Sequence, residues 1–261
     1  MQPIDPVHPP AAYLGGKRIL SKTIIPIINA TPHTGYAEPF LGMGGVFLRR
    51  DMQPKTEVIN DLSGDVANLF RILQRHYPQF MEVLRFQLTS RREFNRLVDT
   101  RPETLTDLER AARFLYLQKT AFGANVSGKN FGVDKNGGGR FNLTRLAPVL
   151  EDVHERMAGV IIEQLPWQEL IRRYDREGML FYLDPPYWGN EKDYGKDAFS
   201  RDQFEEMAKV LAGLKGRFIL SLNDVKGVRD TFERFSFQQV DCNYTIKGGK
   251  PKAVKEVIIT P

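Results

Sequence analysis

The sequence is poor in the residues that build disulfides and metal centres. It contains one cysteine, Cys242, and four histidines that are scattered along 261 residues. A single cysteine excludes an internal disulfide and a thiolate metal cluster, and separated histidines do not give the spacing of a zinc site. We therefore expect no bound metal, and we interpret Cys242 as an ordinary strand residue.

Long apolar runs and a secretory leader are also missing. No apolar stretch approaches the ~18 residues of a membrane span, and the start, Met1 to Pro6, is polar and rich in proline. The sequence therefore predicts no membrane segment and a protein that stays in the cytoplasm. With 41% hydrophobic and 26% charged residues, the chain can bury a large core in one or two domains.

The positive charge is concentrated in one region of the chain. The net charge is +5, and residues 71–145 contain 14 Lys/Arg and 7 Asp/Glu, whereas the remaining residues contain 23 and 25. A basic segment in an otherwise near-neutral chain is typical of contact with a polyanion, most commonly nucleic acid. The alternative interpretation is a solvated helical surface that is rich in arginine.

The most informative stretch is residues 179–189, Met-Leu-Phe-Tyr-Leu-Asp-Pro-Pro-Tyr-Trp-Gly. Its five apolar residues predict a strand buried on both faces that ends at Asp184. Pro185 and Pro186 fix the backbone and remove two N–H donors, so the loop is stiff and its carbonyl oxygens point outward. A carboxylate beside a free carbonyl can hold the two hydrogens of an exocyclic amine, and Tyr187 offers a face for a nucleobase. An ordinary proline turn is the alternative.

A glycine-rich turn predicts a site for a nucleotide-like ligand. A strand over residues 35–40 runs into the glycines of residues 41–45 and then into an amphipathic helix predicted over residues 46–52. In a doubly wound sheet, this arrangement holds such a ligand at the N-terminus of the helix. A second strand ends at Asp61, nineteen residues after Gly42, which is the spacing at which a carboxylate binds a ribose hydroxyl pair.

Two further features belong to the same prediction. Ser63 is expected to cap the helix that follows Asp61, which would leave the carboxylate of Asp61 for a ligand. Near the N-terminus, Tyr13-Leu-Gly-Gly-Lys17 precedes a helix with apolar residues from Ile19 to Ile28. The glycines let a ligand approach the backbone, and a lysine there can lie over a carboxylate.

The middle of the chain predicts helices and then a hairpin. A capping box, Thr106-Asp-Leu-Glu109, begins one of the helices between Ser63 and Lys119. Residues 119–142 are rich in glycine, amides and basic residues, with phenylalanines between them, and predict a hairpin or mobile loop that can enter a DNA groove. Strands and helices then alternate again, and residues 237–246 and 256–260 predict an antiparallel pair that closes the sheet.

In this order the motifs resemble the Dam-like DNA adenine-N6 methyltransferases, also called the D12 class. The resemblance covers nearly the whole chain and rests on Tyr13–Lys17, Glu38–Phe47, Asn60-Asp61, the basic insert, Asp184-Pro-Pro-Tyr187 and Leu220-Ser-Leu-Asn223. It implies an α/β fold with a Rossmann-like S-adenosylmethionine-dependent methyltransferase sheet, mostly parallel with an antiparallel last strand. Residues 1–62 and 146–261 would form the catalytic domain, and residues 63–145 an inserted helical and hairpin domain for target recognition.

The resemblance also implies a function, with roles for individual residues. The protein would be a site-specific enzyme that moves a methyl group from S-adenosylmethionine to N6 of an adenine flipped out of double-stranded DNA, in a bacterial cell or a phage-infected host. The expected catalytic residues are Asp184, Pro185, Pro186 and Tyr187. The expected donor-binding residues are Tyr13, Lys17, Glu38, Phe40, Gly42, Gly44, Asp61 and Asp184. DNA contacts are expected from Lys119, Asn125, Lys129, Arg140, Asn142 and Arg145.

Departures from the family pattern and competing functions keep some questions open. Tyr13 stands where many members have Trp, and the glycines of residues 137–139 do not match the readers of GATC, so that specificity is not carried over. A nicotinamide dehydrogenase would share the glycine turn but would not need the Asp-Pro-Pro-Tyr loop. Methylation of cytosine N4 or of RNA is also compatible with the motifs, whereas enzymes that methylate protein glutamine generally begin the motif with Asn. A non-catalytic DNA-binding module is less expected, because the donor-site and catalytic positions all carry side chains that suit the reaction. The sequence leaves open the recognition site, a partner restriction enzyme and the oligomeric state, with a monomer as the simplest expectation.

Overall fold

The computed structural model describes residues 1–13, 15–122, 130–133, 138–189, 199–244 and 252–261. In these ranges the strands are β1 (Gln2–Pro3), β2 (Gly35–Glu38), β3 (Met52–Gln53), β4 (Thr56–Asn60), β5 (Ile161–Glu163), β6 (Met179–Leu183), β7 (Arg217–Asn223), β8 (Ser236–Tyr244) and β9 (Lys252–Thr260). The α-helices are α1 (Ser21–Ala30), α2 (Gly64–Arg75), α3 (Tyr77–Leu84), α4 (Arg91–Asp99), α5 (Asp107–Thr120), α6 (Leu143–Arg156), α7 (Trp167–Tyr174), α8 (Asp202–Ala212) and α9 (Lys226–Thr231).

Seven strands form one sheet in the order β5-β4-β2-β6-β7-β9-β8. The first five in that order are parallel, and β9 runs antiparallel to both β7 and β8. The predicted mostly parallel sheet with an antiparallel last strand is therefore confirmed. Because β4 and β6 lie on opposite sides of β2, the strand order reverses there, and ligands of open α/β sheets bind at the carboxyl ends beside such a reversal.

The strand β6 is buried along its whole length, as the apolar run predicts. Leu180 and Tyr182 belong to the core that is shared with α1, α2 and α6, and Phe181 and Leu183 belong to the core shared with α7 and α8. Each side chain of this size contributes about 1.5–3 kcal/mol when it is removed from water. Burial on both faces therefore fixes the position of Asp184 at the end of the strand.

The helices between β4 and β5 pack together and against the sheet. The predicted capping box is present, because Thr106 and Glu109 exchange side-chain and backbone hydrogen bonds at the start of α5. Beyond α5, an antiparallel bridge joins Ala121 to Phe131, which is the geometry of the base of a hairpin. Phe70 of α2 lies in the same apolar cluster as Leu180 of the sheet, so the division at residues 62 and 145 stays a prediction.

One predicted element is wrong. The helix expected over residues 46–52 is a single 3-10 turn, Phe47–Arg49. Arg50 leaves the helical conformation because its guanidinium is fully buried and donates to Glu57 Oε1 at 2.7 Å, at the start of β4. A long-range ion pair therefore overrides the local pattern. None of the helices in the described ranges is both long and apolar enough to cross a membrane.

Candidate active site

Four parallel strands bring polar side chains to one edge of the sheet. Glu38 ends β2, Asp61 follows β4, Asp184 follows β6, and Asn223 ends β7. The antiparallel strand β9 reaches the same edge, where Glu256 pairs with Asn223. Because these strands are neighbours, motifs that are far apart in the sequence converge here.

Lys17 and Asp184 form an ion pair at the centre of this edge. Lys17 Nζ lies 2.6 Å from Asp184 Oδ1 and donates to the carbonyl oxygen of Gly15 at 3.1 Å. The Lys17 side chain is almost completely buried. Its ammonium also lies 4.5 Å from the centroid of the Tyr187 ring. The N-terminal glycine motif and the proline motif thus form one site.

A pair of hydroxyls, those of Ser221 and Tyr182, also holds the Asp184 carboxylate. Ser221 Oγ donates to Asp184 Oδ1 at 3.1 Å, and the Tyr182 hydroxyl lies 2.9 Å from Ser221 Oγ. Burial raises the pKa of Asp184 above its ordinary value, whereas the charge of Lys17 and the bonds from Lys17 and Ser221 lower it, and the charge of Glu256 raises it further. These contacts keep a partly buried carboxylate in one orientation.

The loop after Asp184 is clamped to β7. Pro185 and Pro186 are buried, and the amide of Asn223 bonds to both backbone groups of Trp188, accepting at 2.9 Å and donating at 3.0 Å. The Trp188 ring packs 5.0 Å from Phe204. Two prolines and an amide clamp leave the backbone between them little freedom.

The glycine turn after β2 is fastened to the end of β4. Gly42 N donates to Asp61 Oδ2 at 2.8 Å, and Ser63 N donates to Asp61 Oδ1 at 2.9 Å. Gly42 has φ +54°, and a Cβ there would lie 2.9 Å from the ring of Tyr13, so only glycine allows the ring to cover the turn. Burial raises the pKa of Asp61 to about 6, although both backbone hydrogen bonds lower it.

The Ser63 side chain does not form the expected capping hydrogen bond. Ser63 occupies the N-cap position of α2, but its hydroxyl makes no capping hydrogen bond. Asp61 accepts from the Ser63 backbone instead. Each carboxylate oxygen of Asp61 has a second acceptor site, so the group can still bind a ligand hydroxyl.

Glu38 is a buried acid between the two halves of the site. The Tyr36 hydroxyl donates to Glu38 Oε1 at 2.6 Å. Burial raises the pKa of Glu38 to about 8, against the lowering effects of the Tyr36 bond and the Arg50 charge. Glu38 is therefore largely protonated at neutral pH in the protein alone. Phe40, two residues later, packs edge-on against Phe199 at 6.0 Å.

Gly44, the last predicted donor-binding glycine, has φ +70° and lies against Leu48. Its conformation and close contact explain why glycine is required there.

The predicted DNA-binding residues have varied surroundings. Arg140 donates to the Ala121 carbonyl at 3.1 Å and packs on Gly132, across the base of the hairpin. Asn142 is the N-cap of α6 and accepts from the Arg145 backbone at 3.2 Å. Lys119 is half-buried, and burial lowers its pKa, whereas the Arg145 side chain is exposed. Asn125 and Lys129 lie outside the described residues. The DNA role of all six stays a prediction.

Three site residues were not predicted from the sequence as side chains of the site. Ser221 is the polar residue of a buried strand, Asn223 ends that strand, and Glu256 is a fully buried acid in β9. A serine between two leucines and an acid at the start of an apolar strand were the available signals. Their partners could not be identified because each contact joins distant parts of the chain.

The chain matches a known protein family over most of its length. Residues 13–246 match the family described as D12 class N6 adenine-specific DNA methyltransferase. A Type II methyltransferase, M.CviBI of Paramecium bursaria Chlorella virus NC1A, is 21% identical over 92% of both chains. Another, M1.LlaDCHI of Lactococcus lactis subsp. cremoris, is 24% identical over 97% of this chain and 95% of that protein. The DNA adenine methylase of Escherichia coli (strain K12) is 25% identical over 85% of this chain and 84% of that protein.

Proposed function

Because the chain belongs to the family of D12 class N6 adenine-specific DNA methyltransferases, we propose that Asp184 and the loop after it hold the target adenine during methyl transfer. The protein is a site-specific adenine DNA methyltransferase. Family membership implies S-adenosylmethionine as the methyl donor and DNA as the substrate. The observation that carries the assignment of residues is that Lys17 and Ser221 both contact the same carboxylate oxygen, Asp184 Oδ1.

The glycine-turn half of the site fits the methyl donor. Asp61 is a carboxylate at the strand end where a ribose would lie, and Tyr13 covers the turn that Gly42 keeps open. Glu38 is a buried acid that a nearby cation would ionise. When bound, S-adenosylmethionine supplies a methyl group on a positively charged sulfur. Tyr13, Glu38, Phe40 and Asp61 would orient this group and exclude water, which is most of what such a reaction needs.

Asp184 and the Pro185 carbonyl would activate the amine. Adenine N6 is a weak nucleophile because its lone pair is delocalised into the ring. Two acceptors that bind the N6 hydrogens favour a tetrahedral nitrogen and stabilise the positive charge that develops on it. Both contacts of Asp184, with Lys17 and with Ser221, use Oδ1, and none of the described contacts uses Oδ2, which can accept an N6 hydrogen. The N6 nitrogen would lose its extra proton after the methyl group has been transferred, first to the carboxylate of Asp184 and then to water, so no separate general base is needed.

The adenine must leave the duplex to reach this pocket. Extruding a base costs a few kcal/mol, which stacking on the enzyme offsets. Tyr187 follows the two prolines and has the ammonium of Lys17 beside its ring. A base that stacks on Tyr187 would therefore have N6 close to Asp184.

The DNA duplex would lie along the basic insert. Arg145 is exposed at the start of α6, and Arg140 crosses the base of the hairpin. Loss of a phosphate contact lowers the salt dependence of binding by about one unit per contact. We expect Arg145→Gln to lower the slope in this way, whereas Arg140→Gln also loses the bond to Ala121. An unchanged slope in both variants would place the duplex elsewhere.

The test of the assignment is methyl transfer by Asp184→Asn and Asp184→Ala. Labelled S-adenosylmethionine is incubated with duplex DNA, the DNA is digested to nucleosides, and the modified base is mapped by sequencing. We expect both variants to stop forming N6-methyladenine. They should keep their affinity for DNA, because the carboxylate contacts the reacting amine and not the duplex. Asn keeps the shape of Asp, so it separates the loss of charge from a local collapse around Lys17.

Asp152→Asn is the matched control, because Asp152 is an exposed acid on α6. It should transfer methyl groups like the wild type. Near-normal turnover by either Asp184 variant would refute the assignment of Asp184. Methylation of cytosine N4 by the wild type would refute adenine N6 as the target atom.

A further inference from the structure

The connection between α3 and α4 exposes two large apolar side chains. Phe86 is 80% exposed and Leu88 is 71% exposed. A single exposed apolar residue is common on protein surfaces, but two that lie two residues apart on one loop indicate a contact surface. Residues 85–92 are called the basic loop below.

Positive charges outnumber negative ones around this apolar tip, because residues 82–96 carry four arginines and two glutamates, of which Glu93 pairs with Arg96. The basic loop reads Arg-Phe-Gln-Leu-Thr-Ser-Arg-Arg, with three arginines and no acid. Arg91 and Arg92 are exposed. Arg85 is also exposed, and its only ion pair in the described part of the chain is with Glu82 at 3.6 Å, a surface contact that contributes little. A patch of this composition is complementary to a polyanion.

Three contacts hold the basic loop in place, one to Tyr116 of α5 and two to the base of the predicted hairpin. The Tyr116 hydroxyl donates to the Leu88 carbonyl at 2.8 Å, and the Thr89 hydroxyl donates to the Phe141 carbonyl at 2.7 Å. The guanidinium of Arg91 lies 5.3 Å from the centroid of the Phe131 ring. The tip is therefore held next to the segment from which DNA contacts are already proposed.

We propose that the basic loop is a second DNA-contacting element, in which the arginines bind backbone phosphates and Phe86 and Leu88 pack on sugars and base faces where the duplex opens. This rests on the proposed function, since an extruded adenine leaves its neighbours unstacked. Apolar side chains inserted beside such a step gain from the removal of water. The two kinds of residue then act differently, because only the arginines release counterions.

The test compares how the full-length variants Phe86→Ala and Leu88→Ala bind a DNA duplex that the wild-type protein methylates. Dissociation constants are measured by fluorescence anisotropy over a series of salt concentrations. We expect each variant to bind about tenfold more weakly, equivalent to about 1.4 kcal/mol, with an unchanged salt slope. Arg92→Gln should instead lower the salt slope by about one unit.

The control is Ile161→Ala, which shortens another exposed apolar side chain, on the edge strand β5. It should bind the duplex like the wild type. Thermal unfolding and S-adenosylmethionine binding should be unchanged in all variants, because neither Phe86 nor Leu88 lies in the core.

Wild-type affinity in both apolar variants would overturn the inference. So would a change in the sedimentation coefficient with unchanged DNA binding, because the tip would then contact a second copy of the chain. Failure of the proposed function is a separate result: the wild-type protein would then not methylate DNA at all, whatever the basic loop binds.

Discussion

Glu38→Gln gives the sharpest test of how the donor half of the site works. Glu38 is fully buried, its acid has a pKa of about 8, and it lies close enough to Asp184 for the two charges to interact. At pH 7 the site without a ligand therefore holds a mostly neutral acid. A cationic donor favours the ionised form, so binding has to remove a proton from Glu38.

The size of the effect follows from this pKa. If only ionised Glu38 binds the donor well, the ionised fraction rises from about one tenth at pH 7 to about nine tenths at pH 9. S-adenosylmethionine should then bind the wild type about tenfold more tightly at pH 9 than at pH 7, or about 1.4 kcal/mol. Glu38→Gln has no proton to release at this position, so its affinity should be nearly independent of pH over this range.

The free energy of unfolding of the donor-free protein should fall as the pH rises, whereas the donor affinity should rise. The pKa of Glu38 in the folded protein, about 8, lies above its ordinary value of 4.5. Its contribution to stability is therefore present below the ordinary value and is lost as the pH rises through about 8. For one proton, the free energy of unfolding cannot fall by more than about 1.4 kcal/mol per pH unit. Glu38→Gln should remove this pH dependence.

Two measurements test whether Glu38 loses a proton when the donor binds and whether it makes stability depend on pH. Isothermal titration calorimetry in buffers of different ionisation enthalpy counts the protons that are released on binding, and urea unfolding at several pH values gives the free energy of unfolding. The same pH dependence of donor affinity in wild type and Glu38→Gln would refute the reasoning. Proton release by the wild type but not by the variant would support it.

Four further substitutions test other contacts of the structure. Lys17→Met removes a charge that lowers the pKa of Asp184, so the acid limb of the kcat/KM pH profile should move to higher pH, and an unmoved limb would contradict the pairing. Glu57→Gln leaves two buried arginines without their carboxylate and should lower the free energy of unfolding by about 3–5 kcal/mol. Glu169→Gln, at an exposed pair on α7, should cost less than about 1 kcal/mol in the same urea titration. Thr106→Ala should cost about 1 kcal/mol through the lost cap of α5, and no loss would argue against the capping box.

Local patterns predicted the central elements well. The apolar run before Asp184 became β6, buried on both faces. The capping box at Thr106 also formed as expected. In each of these cases the signal lies within a few residues and is reinforced by burial, so no distant contact opposed it.

Two predictions were wrong because a backbone or side-chain partner outside the periodic pattern decided the local structure. The helix expected after Gly45 ends after one turn because buried Arg50 pairs with Glu57. Ser63 was expected to cap α2 with its side chain, but its backbone bonds to Asp61 instead. Both differences arise from partners that periodicity does not reveal.

The order and chemistry of its motifs gave this protein its resemblance to the adenine DNA methyltransferases. Each of these motifs, a strand-end acid, a glycine turn or a proline loop, is a short run of neighbouring residues. Only the folded sheet brought Lys17, Ser221 and Glu256 to Asp184, and only the packing of the insert placed the loop that carries Phe86 and Leu88 against α5 and Phe141. The physical reason is that burial and charge–charge interactions depend on distance in space. Lys17 and Asp184, which lie 167 positions apart in the sequence, become neighbours only when the chain folds.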